Sequence, residues 1–274
     1  MSARLELSAL TKTFVTAGGS VTAVKDVNAH FLEGEFVCLL GHPGCGASTV
    51  LSMIAGLERA TLGGVIIEGT EIDGPGPERS IVFRSPSLLP WLTARQNVRL
   101  AVDRACGSKS RAERAELVER YLDLLGIGDV AEQRPAELSL GTQQCVSLAR
   151  AMAVQPKCLL LDQPFSMLDS MTRFELQDLL VQVWDEEPNR IVVMVTHDID
   201  EALYLADRLL LMTDGPAARI GDVYTVPFPR PRRRAAVLGH PEYHASREYV
   251  LEFLDHHAHQ SRTSAPMPGE SSVA

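Results

Sequence analysis

The 274 residues contain no CxxC pair, no excess of positive charge and no apolar run approaching the roughly 18 residues needed to cross a bilayer. The opening MSARLELSAL lacks the basic-then-apolar layout of a secretion signal, so the chain is expected to stay in the cytosol. Cys38, Cys45, Cys106, Cys145 and Cys158 are scattered and odd in number, which fits reduced thiols better than a disulfide framework or a zinc site. A net charge of −9 leaves no general basic face to displace phosphate counterions, so nucleic acid is excluded as an expected partner. One local exception is PRPRRR, ending at Arg234. It reads either as a solvated connector or as a contact for a lipid headgroup or an acidic partner.

What is present is ample apolar content, 45%, for a packed core. FVCLL from Phe36 to Leu40 is a buried-strand pattern, GHPGCGAST follows, and TVLSMIAGL then has helical apolar spacing up to Gly56. KCLLL (Lys157 to Leu161) and IVVMV (Ile191 to Val195) are two further buried strands bracketed by helical patterns, as a parallel sheet requires. The fold class is α/β. From Leu5 to Val27 two alternating stretches flank AGGS and predict strands joined by a turn. Between about Ser85 and Glu137 strand signals vanish, while Ala115, Val118, Tyr121, Leu122 and Leu125 recur at helical spacing, predicting an inserted helical subdomain over about 85–150. After a nucleotide-binding domain over 1–230, residues 231–274 read as a tail with one amphipathic helix, EYHASREYVLEFLDHH, and a disordered end from Ser261.

Gly41, Gly44 and Gly46 permit a tight loop with inward backbone N–H groups, and a helix expected to begin at Ser48 turns its positive end to the same point. The loop comprises Gly41, His42, Pro43, Gly44, Cys45, Gly46, Ala47, Ser48 and Thr49, and it predicts an anion site. The phosphate-loop pattern also needs a lysine for the β- and γ-phosphates and a hydroxyl for Mg²⁺; Ala47 stands at the lysine position and Ser48 keeps the hydroxyl. Losing that charged contact costs about 1.5–3 kcal/mol, on the order of 10- to 100-fold in affinity. Asp162 ends a buried strand at the sheet edge where open α/β sheets bind ligands, which makes it either a Mg²⁺ partner of Ser48 or a turn residue.

With GHPGCGAST, VFRSPSLLPWLT, LSLGTQQ, LLLDQP, SMLD and VTHD in order, the chain resembles the ATP-binding cassette (ABC) ATPases over roughly residues 5–225. The resemblance implies a P-loop ABC ATPase fold with an antiparallel β subdomain and a helical insertion. It implies ATP and Mg²⁺ as cofactors. Asp162 would be the Walker B aspartate, Asp169 the D-loop aspartate and His197 the switch histidine, with Phe14 either stacking adenine or serving the core. Departures fall where the chemistry happens. Gln163 stands where the family has its catalytic glutamate and cannot accept a proton, a loss of about 10²- to 10⁴-fold in rate. Arg84 replaces the Q-loop glutamine and is read either as a substitute phosphate partner or as a solvent-facing side chain. In the signature Leu138, Ser139, Leu140, Gly141, Thr142, the leucine at 140 occupies the first glycine position.

HPGCG, SLLPWLT, VTHDIDEALYLAD, the FPRPR run and the tail look most like the importer subunits for nitrate, bicarbonate, cyanate, taurine and sulfonates, nitrate-type members above all. By that resemblance the chain lies peripherally on the cytoplasmic face of the inner membrane. Its partners would be a transmembrane permease, a second ATP-binding subunit in a homo- or heterodimer and, indirectly, a periplasmic solute-binding protein. Residues Ser85 to Trp91 and the helical insertion would receive the permease; otherwise Trp91 is a packed aromatic. Two functions follow: a slow or partner-assisted ATP-hydrolysing energiser, or a non-hydrolysing assembly or regulatory subunit. Turnover separates them.

Overall fold

The computed structural model describes residues 3–263 apart from 17, 18 and 188. β1 (Ala3–Thr16) and β2 (Gly19–Leu32) form an antiparallel pair, with Phe14 opposite Val21 and Leu7 opposite Ala29. The expected N-terminal strands are therefore there, and the second extends past Val27; the joining Ala17 and Gly18 lie outside the described residues. β3 (Phe36–Leu40) is buried along its whole length and leads through the glycine loop into α1 (Ala47–Ile54). The helix begins at Ala47, one residue before the expected Ser48. β4 (Leu62–Ile67) pairs with the free edge of β1, and β5 (Thr70–Glu71) with β4, completing a four-stranded sheet in the order β2-β1-β4-β5.

β6 (Arg79–Val82) precedes three helices, α2 (Ala94–Ala105), α3 (Arg111–Leu124) and α4 (Leu140–Met152). Their starts are written in side chains. Thr93 with Gln96, and Ser110 with Glu113, close reciprocal capping boxes, and Ser139 accepts from Thr142 N. Val118, Tyr121 and Leu122 are the buried stripe of α3. The chain then alternates: β7 (Cys158–Asp162), α5 (Ser170–Asp185), β8 (Ile191–Thr196), α6 (Ile199–Leu205), β9 (Arg208–Met212) and β10 (Ile220–Thr225). The six-stranded sheet has the order β10-β9-β3-β8-β7-β6, parallel except for the β9–β10 edge.

Because strand side chains alternate between faces, this sheet separates two cores. Phe36, Cys38, Leu40, Leu159, Leu161, Val192 and Met194 pack towards α2 to α6. Val37, Leu39, Leu160, Val193 and Val195 pack towards α1 and the antiparallel sheet. All five cysteines are free and buried. Among the described residues no helix is long and apolar enough to cross a membrane.

The C-terminal stretch differs from its sequence reading in two ways. It holds two helices, α7 (Arg234–Leu238) and α8 (Tyr243–Thr263), so helix runs to Thr263, while the rest of the expected disordered end, 264–274, lies outside the described residues. PRPRRR is neither a solvated connector nor a free basic patch at its main arginines. Arg230 lies over the Trp184 ring, 3.4 Å from its centroid, and pairs with Asp207. Arg232 is buried, pairs with Asp207 at 3.0 Å and donates to the carbonyls of Leu205 at 2.8 Å and Phe228 at 3.2 Å. Arg234 pairs with Asp178 at 2.8 Å and lies over Tyr204, 4.1 Å from its centroid. Burial pushes Arg232 down to about 10, which leaves it charged at neutral pH.

Candidate functional site

The site grows from the carboxyl ends of β3, β7 and β8, where the loops leaving a parallel sheet converge. Gly46 takes φ 78 as the N-cap of α1, and a Cβ there would stand 2.4 Å from Val24 Cγ1 on β2, so only glycine lets the loop lie against the antiparallel sheet. The helical ladder begins with Val50 N donating to Gly46 O at 3.0 Å. The N–H groups of Ala47, Ser48 and Thr49 therefore have no partner within the helix and, with the helix dipole, favour an anion.

A cavity of about 240 Å³ opens over this loop, walled by all nine loop residues, by Gln163 and by Val195, Thr196 and His197. Ala23 of β2 also lines it. Ser48 Oγ donates to Asp162 Oδ1 at 2.7 Å, so the loop hydroxyl and the strand-end carboxylate meet although 114 residues separate them. Gln163 adopts φ 47, in the left-handed region; its N–H donates to Val195 O at 3.0 Å, and its carbonyl accepts the Ser166 hydroxyl at 2.9 Å. Burial raises the Cys45 thiol, which keeps this loop cysteine neutral.

Other residues singled out from the sequence stand away from that cavity. Phe14 is exposed, with Lys12 Nζ 4.9 Å from its ring centroid, so it is not a core residue. Arg84 is exposed and does not wall the cavity. Trp91 is 66% exposed, which rules out the packed-aromatic reading. Asp169 caps α5, accepting from Met171 N and Thr172 N at 3.1 Å and from the Thr172 hydroxyl at 2.7 Å. Those bonds, the Thr172 hydroxyl first, lower its carboxyl below the ordinary value.

In the segment expected to be the signature, Leu138 is buried, Ser139 caps α4 and its Oγ lies 2.8 Å from Thr142 Oγ1. Leu140 packs against the helical core without strain, while Gly141 is the position where this chain has no room: a Cβ there would lie 2.4 Å from Thr172 Cγ2. Any need for glycine at 140 thus comes from outside the chain.

His42 is also held from the far end of the sequence. Its Nε2 donates to the Leu254 carbonyl of α8 at 3.1 Å. Spacing gave no signal for that contact, nor for Glu201, which is buried against Thr196 and Gln177.

The family profile described as ABC transporter matches residues 24–166. The chain belongs to the ABC transporter family. Members of this family bind ATP. The chain is 46% identical over 250 residues to the nitrate import ATP-binding protein NrtD of Synechococcus elongatus, covering 91% of each protein. It is 45% identical over 253 residues to the bicarbonate transport ATP-binding protein CmpD of a Synechocystis species, covering 92% of this chain and 89% of that one. Among solved structures, the dimeric, post-hydrolysis state of the ATP-binding cassette MJ0796 bound to ADP and Pi superposes with a TM-score of 0.71 at 32% identity, covering 82% of this chain and all of that one.

Proposed function

We propose that this chain is the ATP-binding subunit of an importer for nitrate or a related small anion such as bicarbonate, and that it couples nucleotide binding and slow or partner-assisted hydrolysis to transport. The observation that carries the proposal is the convergence of the loop N–H groups and the Ser48 hydroxyl on one cavity, with the Asp162 carboxylate accepting from that hydroxyl at 2.7 Å. The import and transport roles of the nitrate and bicarbonate relatives support the substrate class. ATP phosphates would lie on the N–H groups of residues 44–49, and adenine would lie towards Phe14 and the β1–β2 pair.

Ser48 and Asp162 fit Mg²⁺, a hard cation that takes oxygen ligands. Among the described residues no group of three His, Cys, Asp or Glu side chains could hold a metal alone. The ion would therefore arrive with nucleotide, its remaining ligands being phosphate oxygens and water; when bound it supplies charge neutralisation at the β- and γ-phosphates. The protein positions the pair, while Gln163 and His197 wall the space in which the attacking water would sit. Positioning and fixed dipoles remain as rate sources when a carboxylate is missing beside the water.

The chain would work as one half of a head-to-tail pair, with the signature segment of one subunit facing the loop of the other, beneath a transmembrane permease on the cytoplasmic face of the membrane. The exposed Trp91 and Phe83 offer apolar surface for that permease. A solute-binding protein would act indirectly through the permease.

The test is equilibrium titration of the full chain with a fluorescent ATP analogue, with and without Mg²⁺, followed by phosphate release alone and with the permease. Binding that strengthens with Mg²⁺ and is lost in Ser48→Ala supports the reading. Absence of nucleotide binding rejects it.

A further inference from the structure

Gln163, Thr196 and His197 each face two cavities: the one over the phosphate loop and a second of about 40 Å³. The second is walled also by Glu201 of α6, by Asp198, which caps that helix, and by Arg173 of α5. One water needs roughly 10–15 Å³ and a few polar partners, so this space accommodates one. Glu201 is 6% exposed, yet it has two donors: Gln177 Nε2 at 2.8 Å on Oε1 and the Thr196 hydroxyl on Oε2. Thr196 Oγ1 in turn accepts from Asp198 N at 3.1 Å. The threonine proton therefore points at Glu201, and Thr196 stands in a wall common to both cavities.

We propose that Glu201 is the proton acceptor for the attacking water, reached through the Thr196 hydroxyl, and that it takes over part of what a carboxylate at position 163 would do. This rests on the hydrolytic reading above. In the step, the water oxygen forms a bond to the γ-phosphorus and the bond from that phosphorus to the β,γ-bridging oxygen breaks, its electron pair leaving with ADP. The water proton passes to Thr196 Oγ1, directly or through one cavity water, as the Thr196 proton moves to Glu201 Oε2. The products are ADP, phosphate and a neutral Glu201 carboxyl, which then returns its proton to solvent by the same route.

Gln163, a carboxamide, holds no proton at neutral pH in this way. Asp198 is the other carboxylate on the small cavity, but its oxygens cap α6 through Glu201 N at 3.0 Å and face Arg173 Nη1 at 3.5 Å. The titratable and charged groups around Glu201 are Asp198, which caps its helix, Arg173 on α5 and the buried Cys38 thiol of β3; Arg234 of α7 reaches Gln177 Oε1 at 2.9 Å behind it. Burial, the largest influence, raises the Glu201 carboxyl above its ordinary value against the two hydrogen bonds, which makes it a stronger base. Because Glu201 acts through Thr196, it is a positioning residue.

The experiment is single-turnover phosphate release from Mg-ATP by the full chain from about pH 4.5, the ordinary glutamate range, up to about pH 9, alongside nucleotide titration and thermal unfolding of every variant. The natural chain should gain rate as pH rises through the Glu201 titration. Glu201→Gln and Thr196→Val should each lose about tenfold or more and flatten that limb, with nucleotide affinity unchanged in Glu201→Gln. In a Gln163→Glu background, which supplies a nearer base, adding Glu201→Gln should alter the rate less than about twofold. Natural rates and an unchanged pH profile in either single variant would overturn the relay, as would an equal cost of Glu201→Gln in both backgrounds, which marks a structural role. Should Glu201→Gln fail to fold, Thr196→Val decides the matter alone. A natural chain that binds no nucleotide or releases no phosphate would remove the hydrolytic reading and the relay with it, a result distinct from an insensitive Glu201→Gln.

Discussion

Gln163 has a backbone conformation that few side chains favour, φ 47, imposed by its bonds to Val195 and Ser166. Strain of this sort, of order 1–3 kcal/mol, persists where surrounding structure over-determines it, and here it sets Gln163 in the wall of the cavity over the glycine loop. Returning the carboxylate requires no rebuilding. Gln163→Glu is expected to raise single-turnover phosphate release by about 10²-fold or more. Ala47 lines the same cavity at the first helical position. Ala47→Lys should tighten Mg-ATP binding by about 1.5–3 kcal/mol, about 10- to 100-fold, in a fluorescent-nucleotide titration. Unchanged affinity would mean that phosphates do not lie on this loop. Arg84 makes a contrasting case: Arg84→Ala with unchanged affinity removes any role as a substitute for the lysine.

At the scale of elements, α4 and α5 lock together where Gly141 meets Thr172, itself bonded to Asp169. Gly141→Ala should cost about 1–3 kcal/mol of stability, read as a lower urea midpoint. Asp169 has a depressed folded pKa, so the stabilisation it lends is present above the ordinary aspartate value and is lost as pH falls through the folded one. The stability gap between the natural chain and Asp169→Asn should accordingly close in acid, as followed by denaturant unfolding across pH. Elements also mark what the sequence could reveal. β3, the glycine loop, β7 and β8 were legible because a buried parallel strand is a solid apolar run, and because glycines spaced in this way between a strand and a helix outweigh a generic turn. β4 and β6 carried no such run: β6 is four residues starting with a buried arginine, and β4 opens with exposed Leu62 and two glycines. RLLLM, which is the whole of β9 and is buried after Arg208, is the same kind of run. Glu201 was illegible for another reason. One glutamate in a helical stretch looks like any solvated charge until the fold buries it against Thr196.

Across the whole molecule, the arginines after Pro229 close the last quarter of the chain onto the sheet. Asp207 accepts from Phe36 N at 2.9 Å, from Arg230 and from Arg232, so one carboxylate joins β3, the start of β9 and the tail. Asp207→Ala would leave the buried Arg232 without its ion partner, at an expected cost of about 3–5 kcal/mol in a urea melt. Circular dichroism and tryptophan fluorescence should still report one coincident transition, because Trp184 lies beneath Arg230 within the shared core. The bond from His42 to the Leu254 carbonyl, spanning 212 positions, carries a consequence for synthesis. A ribosome delivers the glycine loop early, but β8 and β9, the neighbours of β3, arrive only around positions 191–212, and the residue that grips His42 comes last of all. The nascent chain must therefore carry the glycine loop without this contact until Leu254 has been made and α8 has folded back.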